Sequence, residues 1–268
     1  MKLFVIKCGG SVLEKVPDSF YEDLIEVQKN GQYFPIIVHG GGPAISQLLS
    51  QLKIPSRFHN GLRVTTKEVL EVVEMVLNGS TNKKVVTQLI KAGGHAIGVS
   101  GIDGFLIQAE PIGAKEEIGL VGKVVKVNVE LISHFVEQGM IPVISPIGMD
   151  QAGQHYNINA DTVACALAHS FQAPLCYLTD VSGIMVETTG QKTVLHTVSK
   201  QQVEEMIASK VITGGMIPKV QAALDSLQNG VPEVVIVNGG ESHVITRYLK
   251  GESVGTKILI GEEAASHV

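Results

Sequence analysis

Residues 34–52, FPIIVHGGGPAISQLLSQL, decide the fold. Residues 34–38 are an apolar run of strand length, and Ile45, Leu48, Leu49 and Leu52 recur at i, i+3, i+4 and i+7, the stripe of an amphipathic helix. Between them stands His39-Gly40-Gly41-Gly42-Pro43. Pro43 suits the first turn of a helix, where its missing N–H costs nothing. Three successive glycines exceed what a strand-to-helix turn requires. They expose backbone donors at the positive end of a helix dipole, a favourable place for an anion.

The same alternation extends in both directions. Residues 3–6, 95–99, 141–145, 175–178, 234–237 and 257–260 read as strands. Residues 19–29, 66–77, 80–92, 129–138, 160–170, 200–209 and 216–228 read as helices, and the Gly- and Val-rich stretch 105–127 reads as β-hairpins. Strands separated by helices imply βαβ units and an α/β fold with a mainly parallel central sheet. The composition fits a sheet buried on both faces: 44% of the 268 residues are hydrophobic, Trp is absent, and the core must be aliphatic. A join between two lobes is expected at Ala173-Pro174, giving residues 1–173 and 174–268.

The net charge of −5 with no basic run argues against a nucleic-acid partner. No apolar stretch approaches the roughly 20 residues that span a bilayer, so no membrane segment is expected. Cys8, Cys165 and Cys176 form no CxxC pair, the pattern of reduced thiols in a cytoplasmic protein. The nine histidines show no metal-ligand spacing, and there is no nucleophile elbow, P-loop or dinucleotide fingerprint.

Four further segments carry chemistry. Lys7-Cys8-Gly9-Gly10-Ser11 follows the first strand, where glycines let the backbone approach a ligand and form an anion nest. Lys7 then stands at the carboxyl end of a strand, the ligand-binding edge of open α/β sheets. In Asn157-Ile158-Asn159-Ala160-Asp161, Asn159 is a helix N-cap and Asp161 complements the helix dipole. Asn157 is placed to donate to a substrate, and Asp161 to orient neighbouring cations. Thr213-Gly214-Gly215-Met216-Ile217-Pro218-Lys219 opens a helix, because Pro218 is tolerated only near its start. Lys219 thus lies at the positive helix end, a position that the dipole disfavours and a phosphate would favour. Arg63, in Gly61-Leu62-Arg63-Val64-Thr65, suits bidentate carboxylate binding.

Taken in order over essentially the whole chain, these segments and the Leu178-Thr179-Asp180-Val181-Ser182-Gly183 stretch resemble the amino acid kinase family, in particular its branch acting on N-acetyl-L-glutamate. The resemblance implies an open three-layer αβα sandwich with an N-terminal lobe for substrate and dimerisation and a C-terminal nucleotide lobe. It implies ATP-dependent phosphorylation of the γ-carboxylate of N-acetyl-L-glutamate, the second step of arginine biosynthesis, with Mg²⁺ held mainly by the nucleotide phosphates and no dedicated protein metal site. By the same resemblance Lys7 and Lys219 neutralise the transferring phosphoryl group and Asp161 holds both lysines. Gly41 and Gly42 donate to the substrate, and Arg63 and Asn157 bind its α-carboxylate neighbourhood. Gly9, Gly10 and Ser11 face the ATP phosphates, and Thr179, Asp180, Gly183 and Met216 lie with Lys219 in the nucleotide segments. Arginine-inhibited members carry a helix before the first strand. Here only Met1 and Lys2 precede it, which raises the expectation of a homodimer without arginine feedback.

Overall fold

The computed structural model describes residues 2–113, 115–188 and 191–260. Its frame is one eight-stranded sheet. In chain order the strands are β1 (Lys2–Cys8), β2 (Tyr33–His39), β3 (Ala96–Ser100), β4 (Ile141–Ser145), β5 (Leu175–Thr179), β6 (Thr197–Ser199), β7 (Val234–Asn238) and β8 (Thr256–Leu259). Across the sheet they run β6-β8-β7-β5-β1-β2-β4-β3. Neighbours are parallel except β7 and β8. β2 and β5 are almost wholly buried, and β1 is buried at Phe4, Val5, Ile6 and Cys8, as expected of strands covered on both faces.

The helices are α1 (Gly10–Leu13), α2 (Asp18–Lys29), α3 (Gly42–Gln51), α4 (Lys67–Glu74), α5 (Asn82–Lys91), a four-residue turn Lys115–Ile118, α6 (Val129–Glu137), α7 (Ala160–Phe171), α8 (Lys200–Ala208), α9 (Met216–Gln228) and α10 (Val244–Leu249). Strand pleating assigns the layers. Phe4 stacks on Tyr248 of α10, whereas Lys7, an odd number of residues further along β1, meets Asp161 of α7. Successive side chains on a strand point to opposite faces, so α10 and α7 cover opposite faces of the sheet. α2 packs with α10 and α5 on one side, and α7 packs with α9 on the other, giving the three layers.

Three features differ from the sequence reading. The hairpins expected over residues 105–127 are part of a small closed barrel built from Ile107–Pro111, Val121–Val127, Ile147–Met149 and His155–Ile158. The last two strands are too short to read by alternation alone. The helices expected at 66–77 and 80–92 are continuous through a π-helical stretch, Met75–Thr81, which absorbs Asn78-Gly79-Ser80 without a break. An antiparallel pair, Met185–Thr188 with Gln191–Val194, and the short elements α1, β6 and α10 carry too few periodic positions to be legible. At Ala173-Pro174 the chain leaves α7 and enters β5, which lies directly beside β1, so one sheet runs through the expected join.

Candidate active site

The parallel pairing of β1 with β2 and β5 brings three loops to one edge. Cys8 stands opposite His39 and Leu178, so Gly9-Gly10, Gly40-Gly41-Gly42 and Asp180 all leave the sheet at neighbouring carboxyl ends. The two glycine loops touch. Gly40 donates its N–H to the Cys8 carbonyl at 2.9 Å. A Cβ on Gly10 would stand 3.0 Å from the N and Cα of Gly41 and 3.2 Å from the N of Gly42. A Cβ on Gly41 would stand 2.6 Å from Leu77 Cδ2, in the π-helical stretch. Only glycine permits this approach on both sides. α1 and α3 begin at Gly10 and Gly42, with Gly9 and Gly41 as their N-caps and no capping side chain. The N–H groups of Gly10, Ser11, Gly41 and Gly42 have no acceptor among the described residues. Unclaimed first-turn donors of two helices that face each other form a cradle for anionic oxygens.

Two ammonium groups, each paired with a carboxylate, belong to the same edge of the sheet. Lys7 Nζ lies 2.8 Å from Asp161 Oδ1. That oxygen is out of solvent and has no hydrogen-bond donor among the described residues, so the contact is ionic rather than a well-aligned hydrogen bond. Asp161 is set at the start of α7 by Asn159, whose Oδ1 accepts from the Asp161 N–H at 2.9 Å, the N-cap read from sequence. Lys219 Nζ lies 2.5 Å from Asp180 Oδ1. Hydrogen bonding to Lys219 holds the Asp180 carboxyl below its ordinary pKa. The expectation that Asp161 holds both lysines therefore divides: Asp161 meets Lys7, and Asp180, at the end of β5 and opposite the first turn of α9, meets Lys219. Asp161, and Pro218 next to Lys219, line a cavity of 810 Å³.

Arg63 projects from the short hairpin Phe58–His59 and Leu62–Arg63 and is only 8% exposed. Its guanidinium donates to Ser56 Oγ, to Ser46 Oγ at 2.7 Å and to the Gly42 carbonyl at 3.2 Å, and it packs 4.7 Å from the Phe58 ring centre. No carboxylate pairs with it among the described residues, and burial pulls its pKa down from the usual value. A guanidinium stays charged even so. It is a buried cation lacking a counter-anion, next to the loop of unclaimed donors. Asn157 donates to Thr65 Oγ1 at 3.1 Å, and Thr65 donates to the Arg63 carbonyl at 2.8 Å, so these segments form one wall.

The remaining residues divide. Thr179 bonds its hydroxyl to the Val237 carbonyl at 3.2 Å and accepts from Val181 N–H at 3.2 Å, shaping the turn that presents Asp180. Gly183 lies against Thr256, and Met216 opens α9. Sequence reasoning missed a buried polar group under the glycine loop: His39, Asn82 and Ser145. The signal for Asn82 was available. It shares the buried face of α5 with Val85 and Leu89, where a polar residue requires partners.

Residues 2–238 match the profile of the "Amino acid kinase family". The chain is 45% identical over 268 residues to an acetylglutamate kinase of Oceanobacillus iheyensis, covering 100% of both chains. It is 47% identical over 258 residues to an acetylglutamate kinase of Geobacillus stearothermophilus, covering 96% of each. Among solved structures, a Streptococcus mutans UA159 protein superposes with a TM-score of 0.81 at 31% identity, over 97% of this chain and 99% of the other.

Proposed function

The chain belongs to the amino acid kinase family, and from that premise we propose that it transfers the γ-phosphoryl group of ATP to the γ-carboxylate of N-acetyl-L-glutamate, forming an acyl phosphate for arginine biosynthesis. Its relatives at 45% and 47% identity support the acceptor, since both carry the name acetylglutamate kinase. The observation that carries the reading is the facing pair of glycine loops, with four unclaimed N–H groups beside the Lys7–Asp161 pair.

A carboxylate acceptor is already ionised near neutral pH, its ordinary pKa being about 4.3, so it needs no base. The obstacle is the approach of two anions, and phosphoryl transfer asks the protein for positioning and charge stabilisation. An ammonium about 4 Å from a phosphate oxygen contributes roughly 4 kcal/mol of Coulomb energy at an effective dielectric near 20. In this reading Lys7 and Lys219 sit on the phosphoryl group, Asp161 and Asp180 orient them, and Gly9, Gly10 and Ser11 offer N–H groups to the nucleotide phosphates. Gly41 and Gly42 hold the acceptor, and Arg63 and Asn157 hold its α-carboxylate side. Thr179, Asp180, Gly183 and Met216 belong to the nucleotide segments. Residues 1–173 serve the acceptor and 174–268 the nucleotide.

No three His, Cys, Asp or Glu side chains converge as a metal cage among the described residues, and the carboxylates of Asp161 and Asp180 are each engaged by a lysine. The donor set therefore suits Mg²⁺ that arrives on the nucleotide phosphates, where it would neutralise part of their charge. A homodimer in the cytoplasm completes the proposal.

A coupled ADP-release assay offering N-acetyl-L-glutamate, glutamate, aspartate and carbamate tests this reading. Turnover confined to N-acetyl-L-glutamate is expected. Preference for any of the others, or no turnover with any, overturns it.

A further inference from the structure

His39 precedes the glycine loop and is fully buried. Its partners fix its tautomer. Nδ1 lies 3.2 Å from the Gly40 carbonyl oxygen, which can only accept, so Nδ1 carries the proton. The surroundings of the other nitrogen agree with this. Asn82 Oδ1 accepts from Lys83 Nζ at 3.2 Å, and Asn82 Nδ2 donates to the Val143 carbonyl at 2.9 Å, which settles the orientation of that amide. The same Nδ2 lies 3.2 Å from both His39 Nε2 and Ser145 Oγ, so it can offer its second hydrogen to an Nε2 that carries none. Ser145 Oγ lies 3.2 Å from Nε2 and also 3.2 Å from the Leu77 carbonyl, tying the ring to the π-helical stretch.

The consequence falls on one peptide plane. Gly40 is pinned at both ends: its N–H by the Cys8 carbonyl and its C=O by His39. In a trans peptide the C=O of Gly40 and the N–H of Gly41 point in opposite directions. Drawing that oxygen toward the buried ring turns the Gly41 N–H the other way, out to the side where Gly10 approaches its nitrogen.

We propose that His39 is a positioning residue, which through its Nδ1–H bond to the Gly40 carbonyl aims the Gly41 N–H at the acceptor. This rests on the reading that the loop 40–42 holds N-acetyl-L-glutamate. It adds to that reading a buried relay, from Leu77 and Val143 through Ser145 and Asn82 to His39.

Two substitutions in the full chain separate positioning from packing. The amide nitrogen of Asn stands where Nδ1 stands, and the amide oxygen of Gln can take the accepting place of Nε2. His39→Asn keeps the donor to Gly40, whereas His39→Gln keeps an acceptor for Asn82 and Ser145 and loses the donor. The expected result is a KM for N-acetyl-L-glutamate within about threefold of the unaltered protein for His39→Asn and raised about tenfold or more for His39→Gln, with the KM for ATP unchanged in both. Equal effects of the two variants, a reversed order, or a parallel rise in the KM for ATP overturn the proposal. A second measurement needs no variant. In the unaltered protein labelled with ¹⁵N-histidine, the His39 ring is expected as the Nδ1–H tautomer, and an Nε2–H tautomer overturns the proposal whatever the variants do. Absence of turnover with N-acetyl-L-glutamate in the unaltered protein would instead sink the functional reading, while the tautomer still decides the His39–Gly40 bond.

Discussion

Arg63 is the residue whose surroundings most require a ligand. A buried guanidinium that meets hydroxyls, a carbonyl and a ring but, among the described residues, no carboxylate has lost water without gaining a counter-ion. Arg63→Ala is expected to raise the KM for N-acetyl-L-glutamate by about 10- to 100-fold, the cost of one charge-assisted bidentate pair, with kcat less affected. An unchanged KM would remove Arg63 from the acceptor site. Arg63→Met, which keeps the length without the charge, is expected to melt no lower than the unaltered protein and to lose the rise in Tm that N-acetyl-L-glutamate confers. A large fall in Tm without ligand would show instead that the cation stabilises the fold. The sequence singles out Lys7, Asp161, Lys219, Arg63 and the glycines because each stands in a motif with a mechanical reason for its residue type. Ser46, Ser56 and the pairing of Lys219 with Asp180 are not singled out, because they arise from elements that meet only in three dimensions.

Among the elements, the decisive contact is between two loops rather than between a loop and a ligand. Gly10→Ala places a methyl group 3.0 Å from the backbone of Gly41, where no flexible side chain can yield. The account expects a loss of kcat/KM of about tenfold or more for this variant, since a shift near 1 Å at a reacting site costs that much or more. Activity close to that of the unaltered protein would mean that the loops do not act as one unit. The layer beneath them sets an acid limit. Burial lowers the His39 pKa from 6.5 to about 4, with the Gly40 carbonyl opposing and the Lys83 charge adding to the shift. The unfolded chain therefore takes up this proton below about pH 6.5 and the folded chain does not, so the contribution is whole above pH 6.5 and lost as the pH falls toward 4. Up to about 3 kcal/mol is at stake, at 1.36 kcal/mol per unit. Urea denaturation at pH 7 and pH 4.5 is expected to show a steeper decline for the unaltered protein than for His39→Asn, and equal slopes would contradict it. The helices and long strands were readable because α2, α5 and α9 carry clear apolar stripes. The barrel and the π-helical stretch were not, since strands of three or four residues and a continuous helix of altered pitch leave no period to count.

Across the whole molecule, the two halves of the chain are joined by the sheet and by a buried carboxylate. Asp23, on α2, is fully buried and accepts from His243 Nδ1 at 2.9 Å and from the N–H groups of Ile245 and Thr246 at 3.1 and 3.2 Å, capping α10 from a distant helix. His243 holds a positive φ of 54° to reach it, and this hydrogen bond raises its pKa. That part of the stabilisation is present below about pH 6.5 and fades as the pH rises through the higher folded value. Asp23→Ala is expected to lower stability by about 2–3 kcal/mol in urea, since two buried N–H groups and the exposed His243 ring lose their acceptor. A change within experimental error would mean that α10 needs no anchor. The α/β class was legible from alternating strands and helices, whereas the strand order was not, because insertion of β5 beside β1 depends on pairing across some 170 residues.

In the proposed reaction two ammonium groups act on one phosphoryl group. Its most direct test is the steady-state kinetics of Lys7→Ala and Lys219→Ala with ATP and N-acetyl-L-glutamate. Each is predicted to lower kcat by about 100-fold or more while both KM values stay within about threefold, the mark of an interaction made mainly in the transition state. A kcat that survives, with the loss confined to KM, would contradict it.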